Sequence, residues 1–326
     1  MLNVAIYGMG NWGSRLIASV QGKSGKIKFT HGITRDPARH REAAEKFGLQ
    51  LTNSYADVLR DPHVDAVLIA TPHSMHCQHI CEAARAGKHV FSEKPITLTA
   101  ATAREAVAAT QAAGVTLGLG FNRRYAPSFV EMQRRLLAGE IGELLHIEGH
   151  HSGPTGFNLK PNYWRSTRAE SPAGGMTPRG IHTIDAMINL GGLISEVYAH
   201  SERRKLQLPI DMDDTTSMLL KFKNGITGYF AVLFITGELY RVHAFGTKGW
   251  LELRGDTELI ACGLEGKPQR IELQPAEKER AELEAFADAV AAKQPYMVPP
   301  EQAVNGIAVI EAIVASAESG NVMKIG

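Results

Sequence analysis

Hydrophobic and polar positions follow two different grammars along the chain. Up to about Phe121, short apolar runs alternate with segments of helical period. The runs Val4 to Tyr7, Ile27 to Thr34, Val64 to Ala70, His89 to Ser92 and Val115 to Gly120 predict strands. Between them, helices are predicted over Trp12 to Val20, Pro37 to Phe47, Ser54 to Arg60, Ser74 to Ala86 and Ala100 to Ala113. The run from Val64, VDAVLIA, is apolar nearly throughout, as expected of a strand covered on both faces. Strands alternating with helices imply right-handed parallel crossovers, so residues 1–121 are expected to form a doubly wound parallel sheet of Rossmann type.

Past Phe121 the pattern changes. A helix from Ala126 to Ala138 and a strand from Leu144 to His151 lead into a stretch rich in Gly, Pro, Asn and Ser that reaches Pro178. After a helix from Ile181 to Leu190, apolar alternation recurs at hairpin spacing in Glu196 to Lys205, Thr216 to Phe222, Thr227 to Phe234, Arg241 to Phe245 and Trp250 to Leu253. Asn224-Gly225 marks a tight hairpin between two of these strands. Helices from Ala276 to Ala292 and Pro300 to Ser319 close the chain. Residues 122–326 are therefore expected to form a separate α+β domain, a mostly antiparallel open sheet with helices on one face.

With 326 residues the chain is long enough for two such domains. Its 35 basic and 34 acidic side chains nearly cancel, which gives no electrostatic reason to expect nucleic acid or a membrane surface as partner. No segment approaches the apolar length that spans a bilayer. Three cysteines are too few for a disulfide framework, and the first strand begins almost at Met1, so the expected compartment is the cytoplasm.

Chemistry enters at the first turn. Gly8, Gly10 and Gly13 stand in G-x-G-x-x-G spacing directly after an apolar strand and before a helix, with a second strand about 20 residues on. That context predicts a dinucleotide pyrophosphate held at a helix N-terminus, with Asn11 and Trp12 in the same turn. Ligands of open α/β sheets bind beyond the carboxyl ends of the strands, and here those ends are polar. They read Thr34-Arg35-Asp36, then Thr71-Pro72-His73 with His76 one turn later, then Glu93-Lys94-Pro95. At the end of the second strand an acid usually reads the ribose 2'-hydroxyl, and Thr34 stands there instead. A hydroxyl followed by the Arg35 guanidinium suits the 2'-phosphate of NADP, whereas Asp36 turned inward would suit NAD.

At these residues the sequence resembles the glucose-fructose oxidoreductase, inositol dehydrogenase and rhizopine-catabolism family, written Gfo/Idh/MocA. The similarity runs over essentially the whole chain: GMGNWG, ATPHSMH from Ala70, AGKHVFSEKP from Ala86, GFNRRYAPSF from Gly120, GEIGEL from Gly139, NYWR from Asn162, GIHTID from Gly180 and FGTKGWLEL from Phe245. The resemblance implies an NAD(P)-dependent oxidoreductase acting on a sugar, polyol, cyclitol or related hydroxyl compound, in a homodimer or homotetramer. It places Lys94 at the nicotinamide and the reacting oxygen and makes His182 the proton acceptor or donor. Glu93 and Asn122 join the cofactor set on the same basis, and Tyr163, Trp164, Arg165, Thr177 and Arg179 the substrate set.

One position departs from the family pattern. Many members carry Asp four residues before the motif histidine, where this chain has Pro178. Thr177, Arg179 or another residue of the second domain would have to stand in for it. A glycoside hydrolase of the same fold with retained NAD, and a dinucleotide-binding sensor without catalysis, are the rival readings. The crowd of His73, His76, Cys77, His79 and Cys81 suggests a metal, but zinc usually gathers four ligands from more than one element, so no metal is expected. Asp211, Asp213 and Asp214 lack the glycine and glutamate of a calcium loop and predict a turn before a strand.

Overall fold

A computed structural model describes residues 1–161, 163–205 and 211–326. Its chain divides into two compact units, Met1–Asn122 with Glu277–Pro300, and Arg123–Ala276 with Glu301–Gly326. The first unit holds strands β1 (Leu2–Tyr7), β2 (Ile27–Ile33), β3 (Gln50–Thr52), β4 (Ala66–Ile69), β5 (His89–Glu93) and β6 (Leu117–Gly120). Its helices are α1 (Asn11–Val20), α2 (Arg41–Phe47), α3 (Tyr55–Arg60), α4 (His76–Arg85) and α5 (Ala100–Ala112). The sheet is parallel throughout, in the order β3-β2-β1-β4-β5-β6. Every residue of β4 is buried, as its unbroken apolar run requires. β3 was not anticipated, because three residues of an edge strand are too few to show a period.

The second unit contains α6 (Pro127–Leu137), β7 (Leu144–Ser152), α7 (Gly180–Gly191), β8 (Ile194–Glu202), β9 (Thr215–Phe222), β10 (Thr227–Leu233), β11 (Leu239–Gly246), β12 (Gly249–Arg254), β13 (Glu258–Gly263) and β14 (Gln269–Glu272). The helix α8 (Lys278–Ala292) then returns to the first unit, and the chain ends in α9 (Pro300–Ser319) and β15 (Met323–Lys324). The sheet order is β14-β13-β12-β11-β7-β10-β9-β8-β15, antiparallel except where β10 runs parallel to β7. Asn224-Gly225 does make the β9–β10 hairpin, with Gly225 at φ +91°. The sequence reading missed β13, β14 and β15: β14 reads QRIE, a charged edge, and β15 is two residues long. Asn162 and residues 206–210 lie outside the described residues.

Small residues set the layer spacing. A Cβ on Gly149 of β7 would stand 2.5 Å from Thr183 of α7, so that helix lies directly on the strand. On α9, Asn305 brackets the start of β8, accepting from the Ile194 N–H and donating to its carbonyl, both at 2.9 Å. In the first unit, a Cβ on Gly118 of β6 would meet both Phe91 of β5 and Phe286 of α8 at 2.7 Å. Those two rings pack edge to face with centroids 5.4 Å apart.

His79 shows how completely this core excludes charge. Its ring sits 4.4 Å from that of Tyr7 and 5.3 Å from that of Tyr55, with Nδ1 3.1 Å from the Thr71 hydroxyl. Burial pulls its pKa down to about 4. The unfolded chain, with an ordinary histidine pKa of about 6.5, binds more protons than the folded chain between those limits. Stability is therefore whole above about pH 6.5 and lost as the pH falls toward 4, by at most about 3 kcal/mol from this residue. His79→Gln is expected to flatten that slope in urea titrations at pH 5 and pH 7. An unchanged slope would assign the acid sensitivity to other groups.

Candidate active site

In the first unit, the glycine loop is shaped by contact with backbone. Gly8, at φ +110°, donates its N–H to the Ile33 carbonyl at 3.1 Å, and a Cβ there would lie 2.4 Å from the Ala70 carbonyl oxygen. A Cβ on Gly13 would lie 2.0 Å from the Gly8 carbonyl oxygen, whereas one on Gly10 would meet nothing within 4 Å. The first and third glycines thus bring strand and helix together, and the second leaves open space over the loop. Gly10 caps α1 with extended backbone and no side-chain hydrogen bond, and the first turn carries no acid. The helix's own ladder begins with Ser14 N–H to Gly10 carbonyl at 2.9 Å, so the N–H groups of Asn11, Trp12 and Gly13 lie at the open positive end. This cradle fits a diphosphate.

At the end of β2, Thr34 is half-buried with its N–H on the Thr52 carbonyl, while Arg35 and Asp36 are exposed and make no ion pair among the described residues. Beyond β4 and β5 the predicted residues are stitched together. His76 is fully buried, with Nδ1 2.8 Å from the Pro95 carbonyl oxygen and Nε2 3.0 Å from that of Thr71. The imidazole thus stands between the Thr71-Pro72 corner and the Lys94-Pro95 segment, whose peptide bond is cis, and in its neutral form donates to one of the two carbonyls while packing against the other. His73 is buried edge-on to that ring at 5.8 Å. Lys94 donates its backbone N–H to the Glu93 carboxylate at 3.3 Å. Asn122 is buried, and its amide donates to Glu279 of α8, which also receives Arg15 at 2.9 Å.

The second unit builds its polar cluster on α7. His182, in the first turn, is half-buried and donates its backbone N–H to Arg179. The buried ring of His151 on β7 lies 6.4 Å from that of His182 and 4.9 Å from that of its cross-strand partner Tyr240. Arg123 covers the Tyr240 ring at 4.0 Å and pairs with Asp256. Burial pushes the Tyr240 phenol up to about 12, against the pull of Arg123. One turn along α7, Asp185 forms a bidentate pair with Arg124 at 2.8 and 2.7 Å, deep in the unit. Burial raises the Asp185 carboxyl and Arg124 opposes it through charge and hydrogen bonds.

The residues expected to stand in for the missing acid are held elsewhere. Thr177 donates its hydroxyl to the Pro172 carbonyl at 2.7 Å, and the Arg179 guanidinium binds Thr155, the Ser152 carbonyl and Glu238. Tyr163 is exposed, its ring 5.8 Å from that of Trp164, which Arg165 covers at 4.6 Å. The aspartates expected to make a turn instead lead into β9 in irregular backbone, with Asp211 bridged to Thr167: Arg168 binds Asp211 and Asp213, and Asp214 accepts the N–H groups of Arg204 and Lys205. In the first unit, Cys77 and Cys81 come together with Glu105 on α5 rather than with the histidines, their ligand atoms within 4.8 Å of one another. Burial pushes the Cys77 thiol up to about 12 and the Cys81 thiol also up, so both are neutral hydrogen-bearing groups.

Sequence reasoning missed His151, Tyr240, Arg124 and Asp185, and it missed Glu279 and Glu282 of α8. The arginine and aspartate lie within the quoted GFNRRYAPSF and GIHTID segments, so their pairing had a signal. The others become neighbours only through strand register or through the return of α8.

Comparison with known proteins bears on the family and the fold. A family model described as an oxidoreductase family with NAD-binding Rossmann fold matches residues 2–121, and one described as the GFO/IDH/MocA C-terminal domain matches residues 129–252. An uncharacterized oxidoreductase, YrbE, of Bacillus subtilis (strain 168) is 35% identical over 61% of this chain and 58% of its own length. Inositol 2-dehydrogenase 2 of Saccharopolyspora erythraea is 29% identical over 87% of this chain and 83% of its own. The crystal structure of an aldose-aldose oxidoreductase from Caulobacter crescentus, complexed with glycerol, superposes with a TM-score of 0.90 at 25% identity, covering 99% of both chains. Strand by strand and motif by motif, the chain belongs to the Gfo/Idh/MocA family of oxidoreductases.

Proposed function

We propose that this protein moves a hydride between a nicotinamide dinucleotide and a carbon bearing a hydroxyl or carbonyl group on a sugar, polyol or cyclitol. The observation that carries the reading is the glycine cradle at α1 together with the His76 ring that stands between the Thr71-Pro72 corner and the Lys94-Pro95 segment beyond the neighbouring strand ends. Gly8, Gly10, Gly13 and the first N–H groups of α1 would hold the diphosphate, with Thr71, Pro72 and His73 on the same side of the sheet. A bound nicotinamide supplies the hydride acceptor or donor. The protein's part is the proton and the charge: Lys94 stabilises alkoxide character at the reacting oxygen, and His182 takes or returns the hydroxyl proton. Relatives named for inositol and aldose chemistry support the substrate class.

NADP is the preferred cofactor on this reading, because Thr34 replaces the ribose-reading acid and Arg35 is exposed without an ion-pair partner among the described residues. The protein is also read as a homodimer or homotetramer. One cross-strand row of the second sheet, Tyr198-Leu219-Tyr229-Glu148-His243-Glu252-Ile260, lies on the face opposite Gly149 and α7. Leu219 in that row is 59% exposed, an apolar side chain suited to a partner surface.

Four measurements test these readings. With a panel of sugars, polyols and cyclitols and both cofactors, Lys94→Ala is expected to lower turnover at least ~100-fold while cofactor binding and melting temperature hold. His182→Asn should remove the ionisation that governs oxidation near neutral pH, and retention of normal turnover by either variant would reassign that residue. Arg35→Ala is expected to shift the NADP to NAD affinity ratio by about tenfold toward NAD, and equal affinities in the unaltered protein would remove the preference. Sedimentation should show an oligomer that Leu219→Glu dissociates; a monomeric unaltered protein would end the oligomer reading.

A further inference from the structure

The helix α8 brings a carboxyl group into the first unit for which the hydride chemistry has no use so far. Alternate residues of a strand share a face, so Phe91 and Glu93 of β5 lie on one side, beside Gly118 and Gly120 of β6, their partners in register. Phe286 of α8 packs on Phe91 over Gly118. Glu282 precedes Phe286 by four residues and so lies one helical turn away on the same face, toward Gly120 and Glu93. A Cβ on Gly120 would come within 2.8 Å of the Glu93 carboxylate, so glycine is what leaves room there. Glu282 is 0% exposed, and neither of its carboxyl oxygens has a hydrogen-bond partner among the described residues. Glu93, 5% exposed, is the residue immediately before Lys94.

Among the described residues, the charges that act on Glu282 come from two elements. From α8 come Glu279, held by Arg15 of α1 and by Asn122, and Lys278; from the end of β5 come Glu93 and Lys94. An ionised carboxylate with no donor, buried beside two others, is the costliest form this site could hold. Burial first, and then the charges of Glu93 and Glu279, keep the Glu282 carboxyl well above the ordinary carboxylic range, with Lys278 and Lys94 opposing.

We propose that Glu282 and Glu93 share one proton as an acid pair, and that Glu282 is thereby a positioning residue for Lys94. Glu282 carries the proton and offers it to Glu93, which stays anionic and serves as counter-charge to the Lys94 ammonium. No bond beyond that O–H···O contact is made or broken. The functional part of the proposal rests on Lys94 acting at the reacting oxygen, but its test reads the basicity of Lys94 and not turnover, so the two can fail separately.

The experiment labels the full-length protein with an amine-directed reagent over a pH series, and mass spectrometry of the Lys94 peptide gives the midpoint of reactivity. Glu282→Gln keeps a donor for Glu93 and is expected to leave the midpoint where it is. Glu282→Leu, which removes the donor, and Glu93→Gln, which removes the charge, should both move it toward acid by about one pH unit. Infrared difference spectra at neutral pH should show one protonated carboxyl band that Glu282→Gln abolishes. The proposal is overturned if Glu282→Leu leaves the midpoint unchanged, since Glu282 then only fills space. It is equally overturned if Glu282→Gln moves the midpoint as far as Glu93→Gln or leaves the band in place, since Glu282 then carries a charge. Should Glu93→Gln fail to fold, the comparison of Gln with Leu at position 282, both near the size of glutamate, still decides.

Discussion

The close approach of three backbone segments at the first turn is the constraint on which the rest depends. Gly8, Gly13 and the Ala70 carbonyl stand where no side chain has room, with ideal Cβ positions 2.4 and 2.0 Å from carbonyl oxygens. Because β1, α1 and the end of β4 meet that tightly, the helix N-terminus opens directly above the strand ends. The polar corners after β4 and β5 then fall beside it as a consequence of parallel topology, and His76 stands between them. A single methyl group at Gly13 would separate strand from helix and displace all of these groups together.

Much of the fold was legible in the sequence because hydrophobic period is a local signal. VDAVLIA could only be a buried strand, and Asn224-Gly225 could hardly be anything but a hairpin. The failures share a cause too. QLT and QRIE are short or charged edges, in which one side of the strand is left to solvent and the apolar alternation disappears. The placement of Glu277–Pro300 in the first unit was not legible, since an amphipathic helix declares that it has a buried face and not which sheet it covers.

The same division runs through the candidate site. Residues near a motif glycine or a strand end fall at one edge of the parallel sheet, because chain topology alone carries them there. Residues that arrive by register or by a distant return of the chain were not legible: His151 meets Tyr240 only as cross-strand neighbours, and Asn122 meets Glu279 across 157 positions of the chain. The buried amide of Asn122 donates to Glu279, so α8 helps to set its orientation.

Pro178 gains its meaning from how charges are distributed in the second unit. Arg124 is matched by Asp185, Arg123 by Asp256, Arg168 by Asp211 and Asp213, and Arg179 by Glu238. Each of these four guanidinium groups has a carboxylate partner, and moving any of these acids toward His182 would weaken a pair, in the case of Arg124 one whose cation is 1% exposed. Proline at position 178 brings no charge of its own to this set. Near His182 stand the imidazole of His151 and, beyond it, the Tyr240 phenol, which burial holds neutral. On the function proposed above, His182 would take up its proton without a carboxylate from its own motif to stabilise the imidazolium.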